Sequence, residues 1–241
     1  MGKTAAIVQS CYVPWKGYFD LINSADVFVL YDDVQYTRRD WRNRNRIKTA
    51  AGPRWLTIPV QVKGRYHQRI CDVTVSDPGW SAQHWKSIQH AYARAPYFAR
   101  YAEALENVYQ SCTESALTTI NERFLRAMCE WFDIATPILR SDTFSLPEDR
   151  SERLIEICRQ LNATRYLSGP SAKAYIDEQQ FADAGIDVVW MDYGGYREYP
   201  QLHAPFVHEV SALDLLLNTG PDAKRYLNSF AVETTARAAA V

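Results

Sequence analysis

At 241 residues, 47% of them hydrophobic, the chain can bury one large domain, or a domain with a lobe, without a disulfide or metal staple. A net charge of −1 excludes a global basic field of the kind that draws proteins to nucleic acid or to an acidic membrane. The polar opening MGKTAAIVQS is no signal peptide, no apolar run approaches a spanning helix, and five scattered cysteines without zinc spacing fit reduced thiols; a soluble cytoplasmic protein is expected.

Residues 5–8 and 27–31 are short apolar runs, as strands buried on both faces should be, and residues 17–25 between them carry Tyr18, Leu21, Ile22 and Ala25 at helical spacing. This is a parallel strand–helix–strand unit. Residues 55–60 read as a strand after the Gly52–Pro53 turn signal, so 48–54 reads as a loop; 64–68 reads as a turn and 70–75 as a partly exposed strand. Helices are expected over 81–94, 97–109 and 114–132. Strand–helix alternation then returns: strands over 137–140, 165–167 and 186–190, helices over 152–161, 171–184 and 212–217, and a tyrosine-rich loop over 193–205. The tail, ending ARAAAV, is expected to fray. The reading is α/β, a mostly parallel Rossmann-like sheet with flanking helices and a helical lobe. Residues 1–78 form the N-terminal half, 79–135 the lobe and 136–241 the C-terminal half, packed with the first half as one unit.

Ligands of such sheets bind beyond the carboxyl ends of the strands. The first such end is Gln9–Tyr18, containing Tyr12, Trp15, Lys16 and Gly17, where glycine permits close backbone approach and a helix N-terminus favours an anion. Cys11 there is a weaker candidate for a nucleophile. The second is Asp32-Asp33-Val34-Gln35-Tyr36; adjacent carboxylates point to opposite faces, and Asp33 is favoured for the crevice as a ligand contact or base, Asp32 for capping or for pairing with a nearby cation. The run from Arg38 to Lys48 holds six cations with Trp41, Asn43 and Arg44, a local positive patch suited to pyrophosphate or carboxylate, to RNA or a carrier protein, or to solvent alone. Ser168-Gly169 at a later strand end offers a second phosphate contact, and His208 is the leading general base among five histidines without a metal pattern.

Gln9–Tyr18 resembles the first loop of the HIGH-type nucleotidylyltransferases, but Trp15-Lys16-Gly17-Tyr18 lacks both histidines of that motif. A closer likeness lies in Ile7-Val8-Gln9, Tyr12-Val13-Pro14-Trp15-Lys16-Gly17-Tyr18-Phe19, Asp32-Asp33-Val34-Gln35-Tyr36, Trp41-Arg42-Asn43-Arg44-Asn45, Ile47-Lys48 and Trp55-Leu56-Thr57-Ile58-Pro59-Val60. With Tyr166-Leu167-Ser168-Gly169 and Ser211-Ala212-Leu213-Asp214-Leu215-Leu216, the chain resembles the WbqC-like family over nearly its full length. It departs at Ser10, where the family usually has proline. The resemblance implies a place in bacterial surface-polysaccharide (O-antigen, lipopolysaccharide) biosynthesis, and a transferase that acylates or aminoacylates the amine of a nucleotide-linked amino sugar. It implies no tightly bound cofactor, a carrier thioester or CoA as donor, and an acyl carrier protein as a candidate partner.

In that scheme Arg44 and Lys48 hold phosphate, while Trp15, Tyr36 and Trp41 flank sugar or base. Gln35 and Asn43 read polar edges, and Asp33 or His208 accepts the amine's proton. The alternatives are an ATP-dependent ligase or nucleotidylyltransferase on a HIGH-like fold, and a non-catalytic docking module for a carrier protein or pathway enzyme.

Overall fold

The computed structural model describes residues 2–230. In chain order the first elements are β1 (Lys3–Val8), α1 (Lys16–Asn23), β2 (Val27–Leu30), β3 (Arg44–Thr49) and β4 (Gly52–Thr57). Three helices follow, α2 (Trp80–Tyr92), α3 (Phe98–Gln110) and α4 (Leu117–Trp131). The chain then alternates through β5 (Ile138–Arg140), α5 (Arg150–Gln160), β6 (Ala163–Ser168), α6 (Glu178–Asp183) and β7 (Asp187–Trp190), and closes with α7 (Ala212–Thr219).

Five of the strands form one all-parallel sheet in the order β5-β2-β1-β6-β7. The all-apolar runs are explained by coverage on both faces. Ala6, Phe28, Leu30 and Leu167 point into a core shared with α1, α2, α3, α4 and α7. Ala5, Ile7, Val27, Val29 and Tyr166 point the other way, onto α5 and Phe181 of α6. Each fully buried Val, Ile, Leu or Phe among them contributes about 1.5–3 kcal/mol. The chain leaves β1 in one direction to lay down β2 and β5, then returns to place β6 on the opposite flank of β1. The gap between the carboxyl ends of β1 and β6 is therefore the topological switch point, where sheets of this class hold ligands.

Four local expectations are corrected. The stretch read as a cationic run and a loop is a hairpin: β3 and β4 pair antiparallel from Arg44↔Thr57 to Thr49↔Gly52, and Gly52 takes φ +106° after the tight turn. Asn45 and Ile47 face inward while Arg44 and Arg46 face outward, the period-2 alternation of a half-buried strand. Residues 70–75 are no strand. Their amides go to non-adjacent partners, Ile70 N to Val34 O and Cys71 N to Asp32 O, leaving a 3₁₀ turn over Ile70–Asp72. The expected helix over 171–184 is split into a 3₁₀ turn at Pro170–Ala174 and the short α6, because the Asp177 carboxylate accepts from Gln179 N and starts a new helix there. Finally, part of the tail is ordered: Asp20 of α1 accepts from the backbone amides of Asn228 and Ser229. The ARAAAV end lies outside the described residues. Among the described residues no helix is long and apolar enough to cross a membrane.

Candidate functional site

The loop leaving β1 is pinned from three sides. Asp32, 3% exposed at the end of β2, accepts from Ser10 N at 2.8 Å and from Thr118 Oγ1 of α4 at 2.7 Å. Burial raises its carboxyl above the ordinary range, against the pull of those donors. Asn121 of α4 donates to Ser10 Oγ and to the Arg42 carbonyl, both at 2.9 Å. Asn45 of β3 donates to the carbonyls of Tyr12 and Val13 at 3.2 and 3.0 Å. This lattice holds Val13 at φ +36°, a left-handed conformation that a β-branched residue adopts only when its surroundings dictate it.

Arg42 closes the floor of the switch point. Its Nη1 donates to the carbonyls of Gln9 and Ser10 at 3.0 and 3.1 Å and lies 3.1 Å from Cys11 Sγ. Tyr18 of α1 adds its hydroxyl to the Gln9 carbonyl at 2.9 Å. Burial pushes the Cys11 thiol up to about 11 in spite of the guanidinium, so at neutral pH it is a thiol. Aromatic rings form the wall. Trp15 meets Tyr193 and Tyr196 edge-on, at centroid distances of 5.2 and 5.7 Å. Tyr193 lies over Gly169 at the end of β6, where an added Cβ would sit 3.5 Å from the phenol oxygen. Behind this wall the Lys16 ammonium donates to the Arg197 carbonyl at 3.2 Å, with the rings of Tyr196, Tyr199 and Phe206 4.8, 5.3 and 5.8 Å away. Burial lowers its pKa to about 8. His208 packs on Phe206 at 4.6 Å, and burial together with Lys16 lowers its pKa as well.

Of the residues singled out from sequence, Gln9, Trp15, Lys16, Gly17, Ser168 and Gly169 gather around this crevice. The reason for Gly17 differs from expectation: a Cβ there would fall 2.3 Å from Cζ2 of Trp15, so glycine makes room for an indole of the same chain. Tyr12 lies beneath the loop, fully buried, its hydroxyl bonded to His84 Nδ1 at 2.9 Å and Tyr109 at 2.7 Å. Other candidates lie elsewhere. Asp33 faces Ser141, which donates to it, and Arg69 at 3.8 Å, near the ends of β2 and β5; of the two aspartates, Asp32 is the one that touches the first loop. Gln35 donates to the Tyr66 carbonyl at 3.1 Å, and Tyr36 is buried with its amide on Gln68. Asn43 is 6% exposed and donates to Ile58 O at 2.8 Å, while Lys48 is 2% exposed and donates to the Pro205 carbonyl. Both serve the fold, because a buried amide or ammonium must be paired. Trp41 and Arg44 occupy the outer face of the hairpin.

The sequence presents Arg42 only as one cation of a run, and Tyr193 and Tyr196 only as members of a tyrosine-rich loop, with no sign that either meets the first loop. The signal for Arg42 is its place at the hairpin's start next to Trp41; for the tyrosines it is the Tyr193-Gly194-Gly195-Tyr196 turn just after β7. A separate cleft of about 800 Å³ lies on the far layer, lined by residues 145–147 and by side chains of α5 and α6 that include Glu152, Glu156, Arg159 and Asp183, and holds none of these groups. Among the described residues no three His, Cys, Asp or Glu side chains converge to hold a metal.

The chain is similar to the uncharacterized protein Rv1507c of Mycobacterium tuberculosis, 48% identical over 225 residues that cover 93% of this chain and 97% of the relative. No solved structure matches it. The WbqC-like family model matches residues 9–226, from the first residue of the crevice loop to the turn beyond α7, and the chain therefore belongs to the WbqC-like protein family.

Proposed function

We propose that the protein is a transferase of bacterial surface-polysaccharide biosynthesis that acylates or aminoacylates the amine of a nucleotide-linked amino sugar. One observation carries this reading: a guanidinium, a thiol and an aromatic wall of Trp15, Tyr193 and Tyr196 meet at the switch point of a doubly wound sheet. Aromatic faces suit a pyranose, and a rigid backbone loop suits the positioning on which acyl transfer depends. In the reaction the sugar amine attacks the donor's thioester carbonyl. A C–N bond forms, the C–S bond breaks, the donor leaves as a thiol, and the amine's surplus proton passes to a base. His208 is assigned that role in preference to Asp33, since its lowered pKa keeps the imidazole neutral at pH 7, while Asp33 is engaged by Ser141 and Arg69.

The test is a matrix of nucleotide-linked amino sugars against acyl-CoA and acyl-carrier donors, read by mass spectrometry for the amide product. His208→Asn is expected to lower kcat by about 10²–10⁴-fold, and Asp33→Asn by far less. Activity that survives Tyr193→Ala and Trp15→Ala unchanged would move the reaction away from this crevice.

A further inference from the structure

Outside the crevice, the hairpin carries a second arrangement of rings and cations. Trp41 and Trp55 are 40% and 41% exposed, unusually open for indoles, with centroids 5.3 Å apart and planes tilted by 37°. The guanidinium carbon of Arg44 lies 4.1 Å from the Trp55 centroid; that of Arg46 lies 5.5 Å from Trp55 and 5.8 Å from Trp41. Strand register produces this stack. Arg46 pairs directly with Trp55 across the ladder, and Arg44 is two residues away on the same face.

The hydrogen bonding of the two arginines is incomplete. Arg44 Nη2 donates to the Arg39 carbonyl, and Arg46 Nη2 stands 3.8 Å from Glu209, whose side chain is 71% exposed. The Nε atoms of both are shut away from water and donate to no described residue. The guanidinium groups of Arg44 and Arg46, on neighbouring outward positions of β3 beside an open indole stack, match a molecule with a flat ring and an anionic group. Nucleic acid fits less well, because it needs a long track of phosphate contacts and the chain as a whole carries a net charge of −1.

We propose that this face binds a nucleoside diphosphate group, the base extending the Trp41–Trp55 stack and the phosphates spanning Arg44 and Arg46. The proposal deepens the transferase reading, and rests on it for the identity of the molecule bearing the nucleotide; the face itself is defined by the hairpin alone. The backbone joins the two regions. Trp41 O accepts from Tyr12 N at 3.2 Å, and the next residue, Arg42, sends its side chain to the crevice floor.

The test uses UDP, ADP, inorganic pyrophosphate and a short oligouridine as probes, by calorimetry and by quenching of tryptophan fluorescence. UDP or ADP is expected to bind and quench, with pyrophosphate at least about tenfold weaker. Trp41→Ala and the Arg44→Ala/Arg46→Ala double variant should each weaken nucleotide binding by about tenfold or more, whereas the conservative Trp41→Phe should retain it. Circular dichroism and thermal melts confirm that each variant folds. Absence of nucleotide binding, equal affinity for pyrophosphate, tighter binding of oligouridine, or binding indifferent to the hairpin variants would each overturn the proposal. Amide formation with an unchanged KM for the nucleotide sugar in the hairpin variants would overturn it while leaving the transferase standing. Nucleotide bound on the hairpin without any transfer would support it and count against the transferase.

Discussion

Single side chains in this protein are spent on holding one loop. Asn45 is the clearest case: its amide satisfies the carbonyls of both Tyr12 and Val13, and no water can replace it at 3% exposure. Asn45→Ala should cost about 1–3 kcal/mol in urea unfolding, the usual penalty for stranded buried acceptors. Gly17→Ala should cost a similar 1–3 kcal/mol, because the methyl group would overlap the Trp15 ring, and should shift the tryptophan emission as that ring moves. Neither residue's task was readable from sequence. The polar loop after an apolar strand marked the place, but the partners of Asn43, Asn45 and Lys48 are carbonyls 15 or more residues away, and nothing in a linear pattern says that an amide will be buried against them. Asp32 and Asp33 show the limit of local rules: alternation correctly sent them apart, yet which one meets the first loop depends on where α4 and β5 pack.

Elements legible from periodicity were those whose neighbours along the chain are also neighbours in space. The β1–α1–β2 unit and the helices α2 to α4 follow from apolar spacing; β3 is masked because its outward residues are arginines, which read as a charge run, and α6 runs on from its preceding turn in the sequence because the Asp177 cap is a single residue. The helical lobe is tied to the loop by His84 of α2, which sits between Tyr12 OH at 2.9 Å and the Thr57 carbonyl at 3.2 Å. Burial lowers its pKa to about 4. The unfolded chain therefore binds a proton near pH 6.5 that the folded protein refuses until about pH 4, so the contribution of His84 to stability falls as pH drops through that window. The loss is on the order of 3 kcal/mol. His84→Gln, compared with wild type by urea titration at pH 7 and pH 4.5, should show a clearly smaller decline.

For the whole molecule, the strand order brings separate chain segments together at one crevice, and a ligand held there should register globally. A nucleotide sugar at 100 times its Kd should add about 2.7 kcal/mol, and the melting temperature should rise by several degrees. A panel that leaves the melt unmoved would argue against any such ligand. The parallel α/β class and the position of the first loop are readable in the sequence; the meeting of that loop with Tyr193 is not, since β6 joins β1 only across most of the chain and carries β7 with it.

That same order has a cost during synthesis. β1 is central, yet the strand that covers its second flank begins only at Ala163. At about 5–20 residues per second, the ribosome leaves that flank of β1 without its partner for roughly ten to thirty seconds. A nascent chain with an apolar edge open for so long invites pairing with a neighbour, so this protein should depend on holdase chaperones until residue 168 has left the exit tunnel.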